Sequence, residues 1–187
     1  MVSIIFDVFM VNLNSSELDL ACINDWRYAV KAGDRITLSG TVYTARDAAH
    51  KRIASLIAEN KELPFALKGA AVYYAGPTPP APGRTVGSFG PTTSSRMDVF
   101  APKLIELGLS IMIGKGNRSE AVVEAMKSFG AVYFCAIGGA GALAAKCITS
   151  CDVIAFEDLG CESVKRLTFD KFPLICAIDS RGNSLFK

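Results

Sequence analysis

Runs of strand-forming residues recur along the chain, each followed by a stretch with helical spacing, and this alternation constrains the fold more than any other feature. Residues 34–45 (DRITLSGTVYTA) are β-branched and punctuated by turn formers, which predicts strands; residues 47–63 then place Ala49, Ile53, Leu56 and Ile57 on one helical face. Residues 72–75 read as a short strand. Residues 92–107 open on Ser/Thr caps and stop at Gly108, predicting a helix that Pro102 resets near its start. Residues 109–113 and 131–137 read as buried strands on either side of a helix over 119–129, which has Glu120 in its first turn and Gly130 just past its end. A small-residue helix is expected over 142–150, then strands over 153–156, 166–169 and 174–178. The pattern predicts an α/β layered domain with a largely buried, mixed or parallel sheet, the early strands forming a small β layer of their own.

The 187 residues suit one domain, so 1–187 is read as a single unit. Half the residues are apolar and 20% are charged, which excludes a disordered or low-complexity chain. A formal charge of +2 is too balanced for a nucleic-acid footprint. The oily stretch 1–11 has Asp7 inside it and no basic residues before it, unlike a signal peptide, and 132–145 falls short of the ~20 residues of a spanning helix, so no membrane role is expected. Six cysteines scattered through apolar segments point to a reducing, cytoplasmic location. The apolar surplus points to a partner chain.

One break interrupts the alternation: residues 76–91 (GPTPPAPGRTVGSFGP) hold five of the eight prolines and four of the sixteen glycines, a loop long enough to be functional. In open α/β sheets ligands sit where strands run into helix N-termini. Those junctions carry Arg46 with Asp47 and His50, then Thr92, Thr93, Ser94 and Arg96, then Lys115 with Asn117 and Arg118, then Gly138, Gly139 and Gly141. Recurring cations with a hydroxyl cluster and close-approach glycines suit a small polyanion, because guanidinium forks grip carboxylates and lysine adds a compact charge. The plain alternatives are a helix-start ion pair at Arg46 and Asp47, a structural histidine at position 50 and ordinary capping by the hydroxyls. The GGAG string has the spacing of neither the dinucleotide nor the phosphate-loop fingerprint. Cys147 and Cys151, four apart on the expected helix, make with Cys161 no familiar ligand set, so no metal is assigned to this chain. With one histidine and no G-x-S-x-G elbow, a serine triad is excluded.

At these junctions the sequence resembles a known family. SGTVYTARDAAHKRI, GSFGPTTSSRMD, IGKGNRS, AVYFCAIGGAGAL and FPLICAIDSRGN, in that order from about Gly33 to the end, resemble the β subunit of two-subunit class I fumarate hydratases, iron–sulfur hydro-lyases that include tartrate dehydratase. Residues 1–32 match poorly and look divergent. The resemblance implies a swivelling β/β/α domain docked on an α subunit that carries a 4Fe–4S cluster with one open iron, this chain binding no cofactor itself. It also implies a higher oligomer of α–β pairs. Motif by motif, it makes Arg46, Arg96 and Lys115 the substrate-binding cations and Thr92 the catalytic base, with Asp47, His50, Thr93, Asn117, Gly138 and Gly139 in supporting positions. The implied reaction is reversible hydration of fumarate to malate, the KGNRS string favouring this branch. The alternatives are a tartrate or mesaconate-type dehydratase subunit, a non-catalytic dicarboxylate-binding module and a structural assembly subunit.

Overall fold

The computed structural model describes residues 16–80, 82, 83, 85–136 and 141–186. Its strands are β1 (Ser16–Asp19), β2 (Arg35–Thr44), β3 (Ala71–Tyr73), β4 (Ile111–Gly114), β5 (Val132–Ala136), β6 (Ile148–Ala155) and β7 (Val164–Ile178). Its α-helices are α1 (Ile23–Trp26), α2 (Asp47–Ala58), α3 (Ala101–Glu106), α4 (Glu120–Phe129) and α5 (Gly141–Lys146). Strands β2, β3, β4 and β5 run parallel as neighbours. The long strand β7 pairs antiparallel with β5 on one side and β2 on the other, which closes the sheet into a five-stranded mixed barrel. β1 adds parallel to β2 and β6 antiparallel to β7, outside the ring.

This corrects the layered α/β expectation: the sheet is closed into a mixed barrel, and β2 belongs to that barrel rather than to a separate early layer. The local signal misleads for a physical reason. Along β3, β4 and β5, successive side chains alternate between two apolar environments: Tyr73, Ile111, Ile113 and Phe134 face one cluster with Leu38, Phe169 and Phe172, while Val72, Met112 and Tyr133 face a second with Ala49, Ile53, Leu104 and Val122. The first is the barrel interior and the second lies beneath the helices. A strand buried on both faces reads as a continuous apolar run whether its sheet is open or closed. Inside, Phe169 stacks on Phe172 at 4.4 Å and Tyr73 lies 5.6 Å from Phe172; such pairs contribute about 0.5–1.5 kcal/mol each beyond their area.

Several element boundaries also change. The expected helix over 92–107 is a 3-10 turn, Ser94–Met97, followed by α3 with Pro102 in its first turn. The expected helix over 142–150 stops at Lys146, so Cys151 lies on β6 and the two cysteines do not share a helix. The strands expected at 166–169 and 174–178 are parts of β7, which stays paired with β2 through the left-handed residue Lys171 (φ 52°). Opposite, the β2 register shifts between Leu38 and Gly40; Gly40 has φ 117°, and a Cβ there would sit 2.8 Å from Leu20 Cβ, so the bulge requires glycine. No helix among the described residues is long and apolar enough to cross a membrane.

Candidate active site

Because β2 to β5 are parallel, their carboxyl ends share one end of the barrel, and the segments leaving them carry the candidate residues. Arg46 follows β2 and is the N-cap residue of α2, with Asp47 opening the helix. Loop 76–91 leaves β3 and returns beside it, through an Ala75–Pro91 bridge and a 2.6 Å bond from the Thr92 N–H to the Tyr74 carbonyl. The buried Tyr73 hydroxyl donates to the Phe89 carbonyl at 2.7 Å and anchors the loop. Thr93 forms a parallel bridge with Lys115, the residue after β4. Ser94 then clamps Lys115 twice: its N–H donates to the Lys115 carbonyl at 2.9 Å, and its Oγ accepts the Lys115 N–H at 3.1 Å. Arg96, on the same 3-10 turn, donates from Nε to Asp47 Oδ1 at 2.7 Å.

One contact thus ties Asp47, next to Arg46, to Arg96, and others tie Thr93 and Ser94, two and three residues before Arg96, to Lys115. These are the residues the sequence singles out, brought together on one open face. Two cavities elsewhere, of about 560 and 530 Å³, are lined by other residues. Arg46 also pairs with Glu162, Nη2 to Oε1 at 3.2 Å, whereas Lys115 has no ion pair among the described residues. Arg46 Nε and Asp47 Oδ2 are buried and lack any hydrogen-bond partner among the described residues. Orphaned polar groups of this kind are rare in folded proteins and mark places where a ligand completes the bonding.

His50 is elsewhere, 1% exposed beneath the site with its ring against Tyr74 and Phe100. Its Nδ1 lies 3.0 Å from the Arg46 carbonyl, which can only accept, so the proton is on Nδ1 and the unpartnered Nε2 is a bare lone pair. Burial outweighs that bond and lowers its pKa to about 4, leaving a neutral imidazole that orients the start of α2. The Asn117 side chain turns back on its own loop and accepts the Arg118 N–H at 2.7 Å. Gly138 and Gly139 lie outside the described residues.

Further supporting groups, Tyr133 and the junction residue Arg118, lie under the Lys115 loop. The Tyr133 hydroxyl donates to the Gly116 carbonyl at 2.8 Å and lies 2.9 Å from Ser94 Oγ, and burial pushes its pKa well up. The Arg118 guanidinium is fully buried, bonded through Nε to Asp98 at 2.7 Å and lying 5.2 and 5.0 Å from the Tyr74 and Tyr133 rings. Tyr133 reads locally as one more apolar strand residue and comes here through the β4–β5 pairing, while Glu162 carries no local signal, since the β2–β7 pairing that closes the barrel brings it here. Ser94 was visible within the hydroxyl cluster, but not its choice of Lys115 over a helix cap.

The residues matched by the family described as Fumarase C-terminus are 5–187, nearly the whole sequence. The chain belongs to that family. Fumarate hydratase 1, mitochondrial, of Leishmania major is 41% identical over 155 residues, covering 82% of this chain and 28% of that protein. The anaerobic class I fumarate hydratase of Escherichia coli strain K12 is 39% identical over the same length, with the same coverage. The chain thus spans little more than a quarter of these relatives. The L(+)-tartrate dehydratase subunit beta of Escherichia coli strain K12 is 34% identical over 161 residues, 83% of this chain and 79% of that one. Among the described residues, His, Cys, Asp and Glu side chains form no group of three that could hold a metal ion.

Proposed function

We propose that this chain is the β-type subunit of a hydro-lyase that reversibly hydrates fumarate to malate, binding the substrate on the barrel end that carries Arg46, Thr92, Arg96 and Lys115. The observation that carries this reading is their placement at one barrel end, where Asp47 beside Arg46 bonds Arg96, Ser94 bonds Lys115, and the Arg46 Nε donor is buried without a partner among the described residues. Three cations on one face match a dianion whose two carboxylates need separate partners. In this reading the iron–sulfur cluster belongs to a partner α subunit, where its open iron supplies Lewis acidity, and this chain contributes no ligand to it.

The chain's own residues then divide the work. Arg46 and Arg96 grip carboxylate, and Asp47 holds Arg96 at the start of α2 through its Nε. Lys115 adds a further charge from a backbone that Thr93 and Ser94 hold in place. Thr92 removes the proton from the carbon next to a carboxylate in the dehydration direction and returns it during hydration. Its alkoxide is costly in water, and the neighbouring Arg96 and Lys115 charges lower that cost. Neutral His50, bonded to the Arg46 carbonyl, fixes the turn from which Arg46 projects.

Tartrate dehydration is the second reading, favoured by the match over most of a tartrate dehydratase β subunit. Both readings are tested on the complex of this chain with its α partner, assayed under anaerobic conditions with fumarate, L-tartrate and mesaconate. Arg96→Ala and Lys115→Ala are expected to lower kcat/KM for the true substrate about a hundredfold or more, because each removes charge that faces the transition state. Variants that keep near-normal activity would leave a structural or assembly subunit whose junction residues only cap helices.

A further inference from the structure

The 3-10 turn Glu157–Glu162 ends on a side chain that the mechanism above leaves unused. Glu162 sets one carboxylate oxygen 3.2 Å from Arg46 Nη2, and its other oxygen accepts the Ala48 N–H at 3.1 Å. Those donors make a carboxylate receptor: a guanidinium beside a first-turn N–H of a twelve-residue helix. The receptor already holds a carboxylate, and it holds it loosely. The contact to Arg46 exceeds the roughly 2.7–2.9 Å usual for a charged N–H···O pair. A carboxylate facing the fork squarely would engage Nε and Nη2 together, yet Nε is buried without a partner.

The backbone beneath Glu162 is fixed. Lys165 Nζ donates to the carbonyls of Gly160 at 3.1 Å and Cys161 at 3.2 Å, and burial lowers its pKa. On the other side the Cys161 carbonyl abuts Gly76, where a Cβ would come within 2.5 Å. The turn is wedged, so any movement of Glu162 is a side-chain rotation.

We propose that Glu162 is a built-in stand-in for a substrate carboxylate, keeping the Arg46 and Ala48 donors engaged until a dicarboxylate takes its place. This rests on reading Arg46 as a substrate-binding cation. The stand-in competes with substrate for the same donors, so it weakens binding without touching the chemical step. Glu162→Gln keeps a carbonyl for the Ala48 N–H but removes the charge that competes for Arg46. Lifting a partly exposed ion pair of this kind frees the receptor by about fivefold.

The test is made on the assembled complex, measuring steady-state constants and, by calorimetric titration, the affinity for succinate, a dicarboxylate that cannot be hydrated. Glu162→Gln is expected to lower both KM and the succinate Kd about fivefold, with kcat within twofold of wild type. Glu162→Asp, which draws the charge back by one methylene, is expected to fall between the two and serves if the glutamine variant folds poorly. A raised KM or reduced kcat in Glu162→Gln would make Glu162 a positioning residue for Arg46 and overturn the inference. Unchanged constants with a lower melting temperature would reduce it to a helix cap, also overturning it. If wild type neither binds succinate nor hydrates a dicarboxylate, the site reading itself fails first.

Discussion

His50 provides a direct reading of how tightly the site's foundation is packed, because it is the one histidine in the chain. Its pKa falls from 6.5 to about 4, chiefly through burial. A histidine with a depressed native pKa binds fewer protons folded than unfolded between those values, so its contribution favours folding above pH 6.5 and is lost as pH falls toward 4. Linkage gives a loss of about 2 kcal/mol at pH 5 and about 3 kcal/mol below pH 4. In a chain of this length 2 kcal/mol is about 4–8 °C of melting temperature. Asp179, whose carboxyl is held low by Asn183 and by backbone N–H groups of Ala32, Arg181 and Asn183 despite its burial, begins to lose stability only near and below ordinary aspartate pKa values. The window from pH 6.5 to 5 is therefore dominated by the imidazole. Denaturant unfolding at several pH values, for wild type and His50→Gln, isolates the term as a difference in slope, whatever the variant's own baseline. Equal slopes, or an imidazole NMR signal that titrates near pH 6.5 in the folded chain, would refute the buried, neutral assignment.

Two further outcomes follow from the packing under the Lys115 loop. Arg118→Met leaves the largely buried Asp98 carboxylate with only the Ser119 N–H and is expected to cost about 3–5 kcal/mol, read by denaturant unfolding; a loss below 1 kcal/mol would mean that Tyr74, Met112 and Tyr133 repack around the gap. Gly114→Ala would bring a Cβ within 2.0 Å of Ser94 Oγ and 3.0 Å of the Tyr74 ring, so about 1–3 kcal/mol of stability should be lost together with dicarboxylate affinity, since Ser94 could no longer clamp Lys115; a melting temperature and KM equal to wild type would contradict that geometry.

The sequence carried the site further than the fold. Arg46, Thr92, Arg96 and Lys115 each follow a recognisable strand or loop boundary, and parallel strands bring such boundaries to one end whether the sheet is open or closed. Closure was not legible, because it depends on pairing between β2 and β7 from opposite ends of the chain, and no local periodicity records which distant strand completes a sheet. The Asp170–Lys171 step looks like a turn between two strands, yet β7 runs through it to span two sides of the barrel. The hydroxyls at 92–95 look like helix caps, but the Thr93 side chain caps nothing and Ser94 Oγ accepts the Lys115 N–H instead. Glu162 and Tyr133 joined the site only through tertiary contacts.

The most direct measurement of the central claim is anaerobic hydration of fumarate by this chain purified with whatever polypeptide accompanies it, compared with the chain alone and with the Thr92→Ala complex. The account predicts an iron–sulfur partner, activity only in the complex, and loss of that activity in Thr92→Ala while the partner stays bound. Recovery of no such partner, or a Thr92→Ala complex as active as wild type, would contradict it.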